Sequence, residues 1–493
     1  MVGYTTLKIL YFSLLFSIIS GSFVRMVKQN HRLGLRSDVS LESSMDNVDL
    51  DIRVIETPRQ SSLSSLNRFS RRKSPEKRFV FAHVVQGNSQ FYQADDWKED
   101  MELAKQSGID AFAINIGRDI TNERQIPLAY DVADQLDFSL FLSFDMSYYG
   151  QPGSSKDVIK LIRTFAHRQS QFKYQGKPLV STFSGEVPGT YLDNNPDYNA
   201  AWDALKKNLG FSIYFLPCWT GANPSSVPTI DGLLSWDAWS SYSESPDERN
   251  RLALHKFGKQ YAAPISPLFF KHLEHGAGGN YVYSSDDFLV IEKYIQLIQS
   301  PPAFIELLTW NDYGEAHYLK DPRKNANLPK GVVSAHDYVN GFSHEPLLHM
   351  LSYFNLWYKD GSRPKLEKSK LYLWHRPHPK SVTATDDPLS IPKSSNESQD
   401  NLYILLMVKS RSNLNKMIIN SGSKKYTKHL KEHLSRHEDT IIRITSPFHC
   451  GKDQSIQLFD DHDDQEILNF KGLAINSKPE KYNFNYWSGM TTF

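Results

Sequence analysis

The sequence has little cysteine: Cys218 and Cys450 are the two cysteines in a chain of 493 residues. Two cysteines cannot form the several crosslinks of a small disulfide scaffold. One disulfide between these distant positions is an alternative, and two free buried thiols are the preferred interpretation. Stability must then come from apolar cores, and the length predicts one large domain and a smaller one.

The sequence also lacks an excess of charge of either sign. Its 56 basic and 55 acidic side chains give a net charge of +1. This balance argues against a nucleic-acid-binding surface and against an acidic polymer as partner. Aromatic residues are abundant at 13%, and their rings stack on uncharged, ring-shaped ligands. We therefore expect a neutral partner and no nucleic acid.

Long apolar runs are missing except for Ile9–Ile19, which follows Lys8 and precedes small residues. The pattern predicts a signal peptide over residues 1–22 and a protein secreted to the extracellular space or cell wall. An uncleaved anchor is the alternative, and no membrane association is expected after cleavage. Residues 23–76 are rich in serine and arginine, which predicts a disordered linker. Arg71–Lys73 within it is either a processing site for a basic-specific protease or a plain solvated charge run.

Three kinds of motif are missing. The sequence has no spaced His/Cys/carboxylate set typical of a metal centre, no glycine-rich phosphate loop and no G-x-S-x-G nucleophile elbow. We therefore expect no metal and no cofactor.

From Lys77 onward, short apolar runs alternate with longer amphipathic stretches, a pattern typical of alternating strands and helices. Eight runs are predicted strands: 79–84, 110–116, 139–144, 178–183, 212–217, 232–236, 263–268 and 304–310. Helical spacing between the first runs, with Gly108 as a stop signal, predicts the intervening helices. Eight such units predict an α/β fold with a closed (β/α)8 TIM-like barrel over residues 77–362.

After Pro364 the alternation stops, and strand-like runs such as "LYILLMVKS", "TIIRITSPF" and "QSIQLFD" follow. They predict a C-terminal β-sandwich over residues 363–493, which either aids polymer binding or serves stability alone. The charged stretch "KKYTKHLKEHLSRHEDT" is interpreted as a solvated helix or loop. Asn396 begins an Asn-Glu-Ser glycosylation sequence.

Barrel enzymes carry their function at the C-terminal ends of the strands. The residues found there are His83, Asn115, Asp145, Glu186, Trp219, Trp236, Asp237, Ser266, Asp312 and Glu315. Each has a structural alternative, since an aspartate often caps the next helix, His83 fits a supporting role, and Trp219 and Trp239 fit a core. Their convergence on one face nevertheless predicts a carboxylate-lined cleft with indole walls.

Aromatic platforms combined with carboxylates indicate cleavage of neutral, hydroxyl-rich ligands, as in glycoside hydrolases. That reaction needs one carboxylic acid to protonate the leaving oxygen and one carboxylate as base or nucleophile. The stretch "TWNDYGEAH" after the eighth strand supplies two carboxylates three residues apart, Asp312 and Glu315.

Seven stretches resemble the fungal α-1,3-glucanases, or mutanases, of glycoside hydrolase family 71. They are "RFVFAHVVQGN", "DWKEDMELAKQSGIDAFAINIG", "LFLSFDMSYY", "QFKYQGKPLVSTFSGE", "DGLLSWDAW", "LLTWNDYGEAHY" and "LYLWHRPHPK". The resemblance runs from about Lys77 to the C-terminus, in family order. It implies an endo-acting, inverting hydrolase of α-1,3-glucan on a (β/α)8 barrel followed by a β-sandwich.

Together, this resemblance and the strand-end positions suggest the catalytic residues. Glu315 is expected to be the general acid and Asp312 the water-activating base. Asp145, the aspartate of "FDM", is expected to be an alternative base or to hold the water and the sugar; roles within this trio are exchangeable. To stay protonated at about pH 5–6, Glu315 should have a pKa raised by a neighbouring carboxylate or by the wall of Trp310.

Ten further residues are predicted to bind substrate: His83, Asn115, Glu186, Trp219, Trp236, Asp237, Trp239, Trp310, Asn311 and His317. The expected partner is α-1,3-glucan and the expected oligomeric state is a monomer. Two other functions stay open, a wall-glucan-binding protein without catalysis and a glucanase acting on another linkage. In a fungus the activity would serve wall remodelling, cell separation or ascus opening and spore release.

Overall fold

The computed structural model describes residues 50–56, 77–240, 246–274, 279–286, 288–462 and 464–493. The predicted signal peptide and the candidate processing site Arg71–Lys73 lie outside the described residues, as does most of the predicted linker. Within the described ranges, no helix combines the length and apolarity that crossing a membrane requires.

The alternating region contains eleven strands in the described residues. They are β2 (Phe79–Val85), β3 (Ala111–Ile116), β4 (Ser139–Asp145), β5 (Lys173–Tyr174), β6 (Lys177–Phe183), β7 (Tyr214–Phe215), β8 (Gly232–Leu234), β9 (Gln260–Ile265), β10 (Phe269–His272), β11 (Asn280–Tyr283) and β12 (Phe304–Leu307). Each of the eight predicted strands overlaps one of these. Short β5 and the hairpin β10–β11 were not predicted.

Nine of these strands form one curled, mostly parallel sheet. Its order is β5-β6-β4-β3-β2-β12-β9-β8, and β7 pairs with β6. Just beyond β7, Cys218 makes isolated parallel bridges to Phe183 at the end of β6 and to Leu234 at the end of β8. The fold class is therefore α/β, as predicted, and the carboxyl ends of the parallel strands share one edge.

Helices cover the outer side of this sheet. The described α-helices are α1 (Ala94–Gln106), α2 (Asn122–Leu136), α3 (Met146–Tyr149), α4 (Ser154–Phe165), α5 (Tyr198–Leu209), α6 (Asp247–His255), α7 (Leu289–Gln299), α8 (His336–Val339) and α9 (Glu345–Asp360). In α1, Trp97, Met101 and Ala104 recur at helical spacing and are buried. The helix ends where predicted, because Gly108 adopts a φ of 75° just after it.

Aromatic rings fill the inside of the curled sheet. Phe81 lies 5.0 Å from Phe141 and 5.4 Å from Phe304, measured between ring centroids. All three side chains are fully buried. The interior is thus packed rather than open, and any cleft must lie at an edge of the sheet.

The C-terminal region forms two antiparallel sheets. The first sheet contains β1 (Asp51–Val54), β13 (Lys370–His375), β14 (Asn401–Val408), β17 (Thr440–Pro447) and β20 (Trp487–Thr492), in the order β1-β17-β14-β13-β20. The second contains β15 (Leu414–Ser421), β16 (Lys424–His429), β18 (Gln454–Asp460) and β19 (Glu466–Lys471), in the order β16-β15-β18-β19. Both sheets contribute to one buried apolar cluster, which includes Ile404 and Ile444 of the first and Ile419 and Ile456 of the second.

Two predictions about irregular segments are wrong in part. Asp51–Val54, inside the predicted linker, forms β1 against β17, since Leu50 and Ile55 at its ends find buried sites that local composition does not reveal. Lys424–His429, inside the charged stretch, is not a helix or loop but edge strand β16, because Tyr426 points into the core while lysines face solvent.

The two cysteines are free, so the disulfide alternative is wrong. Cys218 is buried, as expected, and Cys450 is exposed, because it lies in the turn between β17 and β18.

Candidate active site

The carboxyl ends of β2, β6 and β12 meet around the indole of Trp236, which follows β8. Its ring lies 4.9 Å from the ring of His83, 4.8 Å from that of Phe183 and 6.5 Å from that of His317. Strand-end residues that are far apart in sequence therefore converge, as the parallel topology predicts.

The loop after β12 folds back on itself and presents the predicted catalytic pair. The backbone N–H of Thr309 donates to the carbonyl of His317 at 2.7 Å, which closes the loop. Inside it, the N–H of Asp312 donates to the hydroxyl oxygen of Thr309 at 2.8 Å, and the N–H of Glu315 donates to Oδ1 of Asp312 at 3.1 Å. The D-x-x-E spacing is thus a tight turn that holds Asp312 and Glu315 side by side.

Two cationic side chains face these carboxylates. Lys271 Nζ lies 2.9 Å from Oε1 of Glu315, and His317 Nε2 lies 3.1 Å from Oε2 of the same residue. His317 Nε2 is also 3.6 Å from Oδ2 of Asp312. Sequence reasoning missed Lys271 because the short hairpin that carries it gave no strong strand signal.

These contacts set the charge of the pair. Burial alone would raise the pKa of Glu315, but the Lys271 charge and the hydrogen bond from His317 outweigh it and lower the pKa to about 2. Burial opposes protonation of His317, but Asp312 and Glu315 outweigh it and raise the pKa to about 9. The expected raised pKa of Glu315 is therefore wrong, because the raising effect of burial is exceeded by a lysine that the sequence did not reveal.

Two other predicted site carboxyls show the opposite behaviour. Asp145 is the last residue of β4, and its Oδ1 accepts a hydrogen bond from the N–H of Ser147, so it also caps α3. Burial raises its pKa to about 7, and the charge of Asp119 adds to the increase. Glu186 follows β6, and burial raises its pKa to about 7 as well. Both carboxyls therefore hold a proton in mildly acidic solution.

His83 has the supporting contact that its structural alternative implied. Its Nδ1 lies 2.8 Å from Oε1 of Glu306, and both side chains are buried. Because the other side of the imidazole meets Trp236, His83 holds that indole in place.

Of the four predicted tryptophans, Trp236 and Trp239 are partly exposed. Their indole N–H groups have no hydrogen-bond partner within the described part of the chain. Trp239 lies 5.1 Å from Phe269 and 5.3 Å from Tyr283, ring to ring, so the unpredicted hairpin extends the aromatic wall.

Trp219 and Trp310 are instead buried in the core. The N–H of Trp219 donates to the carbonyl of Ser184 at 3.1 Å, and that of Trp310 donates to Oδ2 of Asp100 at 2.9 Å. Neither ring is available to stack on a sugar. For Trp219 this bears out the core alternative.

Three polar residues complete the predicted set. Asn311 is buried, and its amide clamps the backbone of Val85 through both N–H and C=O contacts. Asp237 accepts a hydrogen bond from the hydroxyl of Ser240. The Nδ2 group of Asn115 is buried without a partner among the described residues.

The site also offers a possible metal-ligand geometry. Asp312, Glu315 and His317 each provide a ligand atom, and these atoms lie within 4.8 Å of one another. Lys271 and the readily protonated His317 already place positive charge beside these carboxylates, which opposes a metal ion. The arrangement favours proton chemistry.

Comparisons with known proteins find a matching family and similar chains. Residues 76–493 match the family model described as glycosyl hydrolase family 71. The chain is 37% identical over 345 residues to glucan endo-1,3-alpha-glucosidase agn1 of Schizosaccharomyces pombe, covering 67% of this chain and 77% of that protein. It is 30% identical over 441 residues to a mutanase of Penicillium rubens, covering 84% of this chain and 89% of that protein. A solved GH99 endo-alpha-mannosidase from Bacteroides thetaiotaomicron aligns with a TM-score of 0.44 at 12% identity, covering 57% of this chain and 98% of that one.

Proposed function

The chain belongs to glycosyl hydrolase family 71, and we propose that it hydrolyses α-1,3-glucosidic bonds within a glucan chain. The observation that carries this proposal is the turn that holds Asp312 and Glu315 together beside Lys271 and His317. The relatives named as an endo-1,3-alpha-glucosidase and a mutanase support the linkage.

The finer architecture belongs to the same proposal. The bridges of Cys218 to β6 and β8 support closure of the curled sheet into a (β/α)8 barrel. The apolar cluster shared by the two antiparallel sheets supports a β-sandwich. We place the barrel at residues 77–362 and the sandwich at 363–493, with β1 added to the sandwich from the N-terminal side.

The charge states favour an exchange of roles within the predicted trio. A general acid must hold a proton, and Asp145, with a pKa of about 7, does so at the mildly acidic pH expected for this reaction. Glu315, with a pKa of about 2, is ionised there. Transfer of the His317 proton to Glu315 is unfavourable, because the contact between the two side chains lowers the pKa of Glu315 and raises that of His317. We therefore assign the proton donor to Asp145 and the water-activating side to Asp312 with Glu315.

Hydrolysis then proceeds with inversion. Asp145 protonates the leaving glycosidic oxygen while Asp312 accepts a proton from water that attacks the anomeric carbon from the opposite face. Glu315 and the protonated His317 fix the orientation of Asp312. Proton NMR of early products tests this course: the new reducing end should appear first as the β-anomer, and an initial α-anomer would show retention.

The linkage is tested by digesting α-1,3-, β-1,3- and α-1,4-glucans in parallel. We expect release of oligosaccharides from the α-1,3-glucan alone. Tight binding of that glucan without products would instead support the wall-binding protein, and products from another polymer would support the other-linkage enzyme.

We further propose that the protein acts as a secreted monomer on cell-wall α-glucan, in wall remodelling, cell separation or ascus opening. The run Ile9–Ile19 and the net charge of +1 support export into a neutral glucan matrix. Mass spectrometry of exported protein should find a mature N-terminus near residues 20–25 or near Lys73. An intact Met1 on cytosolic protein would contradict export.

A further inference from the structure

The hairpin β10–β11 joins the site to the C-terminal region. Successive side chains of a strand point to opposite sides. On β10, Lys271 points to Oε1 of Glu315 at 2.9 Å, and the N–H of Phe270 donates to the backbone carbonyl of Glu315 at 3.1 Å. His272, the next residue, faces away from the site.

His272 is completely buried between the hairpin and the C-terminal region. Its Nδ1 lies 2.8 Å from Oδ1 of Asn280 on β11, and its Nε2 lies 2.8 Å from Oδ2 of Asp387. Asp387 in turn accepts hydrogen bonds from the N–H groups of Leu389 and Tyr482. One aspartate therefore ties β10 to two separate segments of the C-terminal region.

The same region also holds β11. The N–H of Val282 donates to the carbonyl of Lys393 at 3.0 Å, and the N–H of Lys393 donates to the carbonyl of Asn280 at 3.1 Å. The side-chain amide of Asn280 donates to the carbonyl of Ser390 at 2.6 Å. Among the described strands, β10 and β11 pair only with each other. A two-stranded hairpin is marginal by itself, so these contacts help to fix its position, together with the contacts of Phe270 and Lys271 with Glu315.

We propose that Asp387 is a positioning residue that, through His272, holds Lys271 against Glu315, so that the C-terminal region is a working part of the active site and not a detachable glucan-binding module. The proposal rests on the proposed function for its catalytic consequence. Its structural half, the support of the hairpin, is independent of activity.

Hydrogen exchange tests the structural half in the full-length protein. Asp387→Asn keeps the shape of the side chain and removes its charge, which weakens the contact with His272. We expect faster amide exchange in the described part of the hairpin, Phe269–His272 and Asn280–Tyr283, with β12 unchanged. Unchanged exchange in the hairpin would overturn the proposal even if the protein proved inactive on every glucan.

Enzyme kinetics test the catalytic half. We expect Asp387→Asn to lower kcat about tenfold with little change in KM, because Glu315 loses its oriented partner. The acidic limb of the pH–rate profile should move upward by about one unit or more, since the lysine charge holds the pKa of Glu315 down. The other titratable groups facing Glu315 stay in place: Asp312, His317, Tyr281, Tyr283 and Tyr338.

Asp286→Asn provides a matched control. Asp286 also lies buried between the two regions, where its Oδ1 is 2.6 Å from Arg376 Nη1 and accepts a hydrogen bond from Tyr403, away from β10. Asp286→Asn should lower the unfolding temperature without moving the acidic limb of the pH–rate profile. Equal shifts of the acidic limb in Asp387→Asn and Asp286→Asn would mean that Asp387 has only a general structural role, which would contradict the proposal.

A double-mutant cycle decides whether Asp387 acts through Lys271. Lys271→Met removes the cation directly. If the route is correct, Asp387→Asn added to Lys271→Met should cause less than a twofold further loss of kcat. A further tenfold loss would mean that Asp387 acts by another route, and would contradict the proposal.

Discussion

At the carboxyl edge of the curled sheet, the carboxyls on the β12 side and those on the β4–β6 side have opposite charge states. In the loop after β12, Glu315 is paired with Lys271 and His317, and its pKa falls to about 2. At the ends of β4 and β6, Asp145 is buried and Glu186 is partly buried, and burial raises their pKa values to about 7. Burial raises the pKa in all three, so the difference comes from Lys271 and His317, which lie against Glu315.

This comparison separates position from role. A strand-end carboxyl is placed by the topology of the sheet, but its protonation state depends on the neighbours that other segments bring. Glycosidic cleavage with inversion needs one carboxyl of each state. The two sides of this edge together supply that combination.

The largest expected effect comes from removing the ionised side. Asp312→Asn and Glu315→Gln should each lower kcat by about 10³-fold or more, because each keeps the shape of the side chain and removes the negative charge that water activation requires. Glucan hydrolysis at a fixed pH and sedimentation with insoluble glucan measure turnover and binding. Glu123→Gln, at an exposed site, should leave both unchanged. Turnover near that of the wild type in either catalytic variant would remove that residue from the mechanism.

The sequence predicted the positions of the site carboxyls better than their protonation states. The eight parallel strands carry continuous apolar runs, so they could be found, and with them the edge where Asp145, Asp312 and Glu315 lie. Hairpin β10–β11 gave no such signal, because "FFKH" and "NYVY" are only four residues each. The pKa shift of Glu315 depends on Lys271 in that hairpin, so its direction was predicted wrongly.

The same limit explains the tryptophans. Strand-end indoles were predicted to line the cleft, but sequence spacing does not tell an indole that faces solvent from one that donates to a buried acceptor. Trp310 donates to Asp100, a residue on α1, and only the fold shows that this partner is within reach. The edge strand β16 was missed for a related reason. Its sequence is mostly basic, and its single buried tyrosine, Tyr426, is too weak a signal to predict a strand.

Removing the protonated side should have the next largest effect. Asp145→Asn should lower kcat by about 10²–10³-fold on glucan and abolish the alkaline limb near pH 7, because asparagine cannot donate an acidic proton. An oligosaccharide with an activated aryl leaving group needs little protonation, so its hydrolysis should be largely retained.

Glu186→Gln is the matched comparison, since Glu186 has the same raised pKa. We expect it to raise KM more than it lowers kcat, as for a residue that binds the sugar. If activity on the activated substrate survives in Glu315→Gln but not in Asp145→Asn, the acid role returns to Glu315.

The ionised side should also contribute to stability in a pH-dependent way. The pKa of His317 is raised from 6.5 to about 9, so its contribution is fully present below pH 6.5 and is lost as pH rises through about 9. Its magnitude is on the order of 3 kcal/mol. The part of the decrease in the pKa of Glu315 that His317 causes belongs to the same interaction and is not added.

Chemical denaturation between pH 6 and 10 measures this contribution. The wild type should lose free energy of unfolding across that range more steeply than His317→Gln. His375→Gln is the control, because burial lowers the pKa of His375 to about 4 and it is neutral throughout the range. Parallel curves for the wild type and His317→Gln would show that the carboxylates do not hold a proton on His317.

The smallest effect should come from Asp119, which tests why the protonated side is protonated. Burial is the largest cause of the raised pKa of Asp145, and the Asp119 charge is a minor one. Asp119→Asn should therefore lower the pKa of Asp145 by less than about one unit, and the alkaline limb of the pH–rate profile should move to lower pH by that amount. kcat at lower pH, where Asp145 is fully protonated in both proteins, should be unchanged. A downward shift of two units or more would mean that repulsion between carboxylates, and not burial, keeps the proton on Asp145. The two sides of the sheet edge would then differ only in the sign of the charges beside their carboxyls.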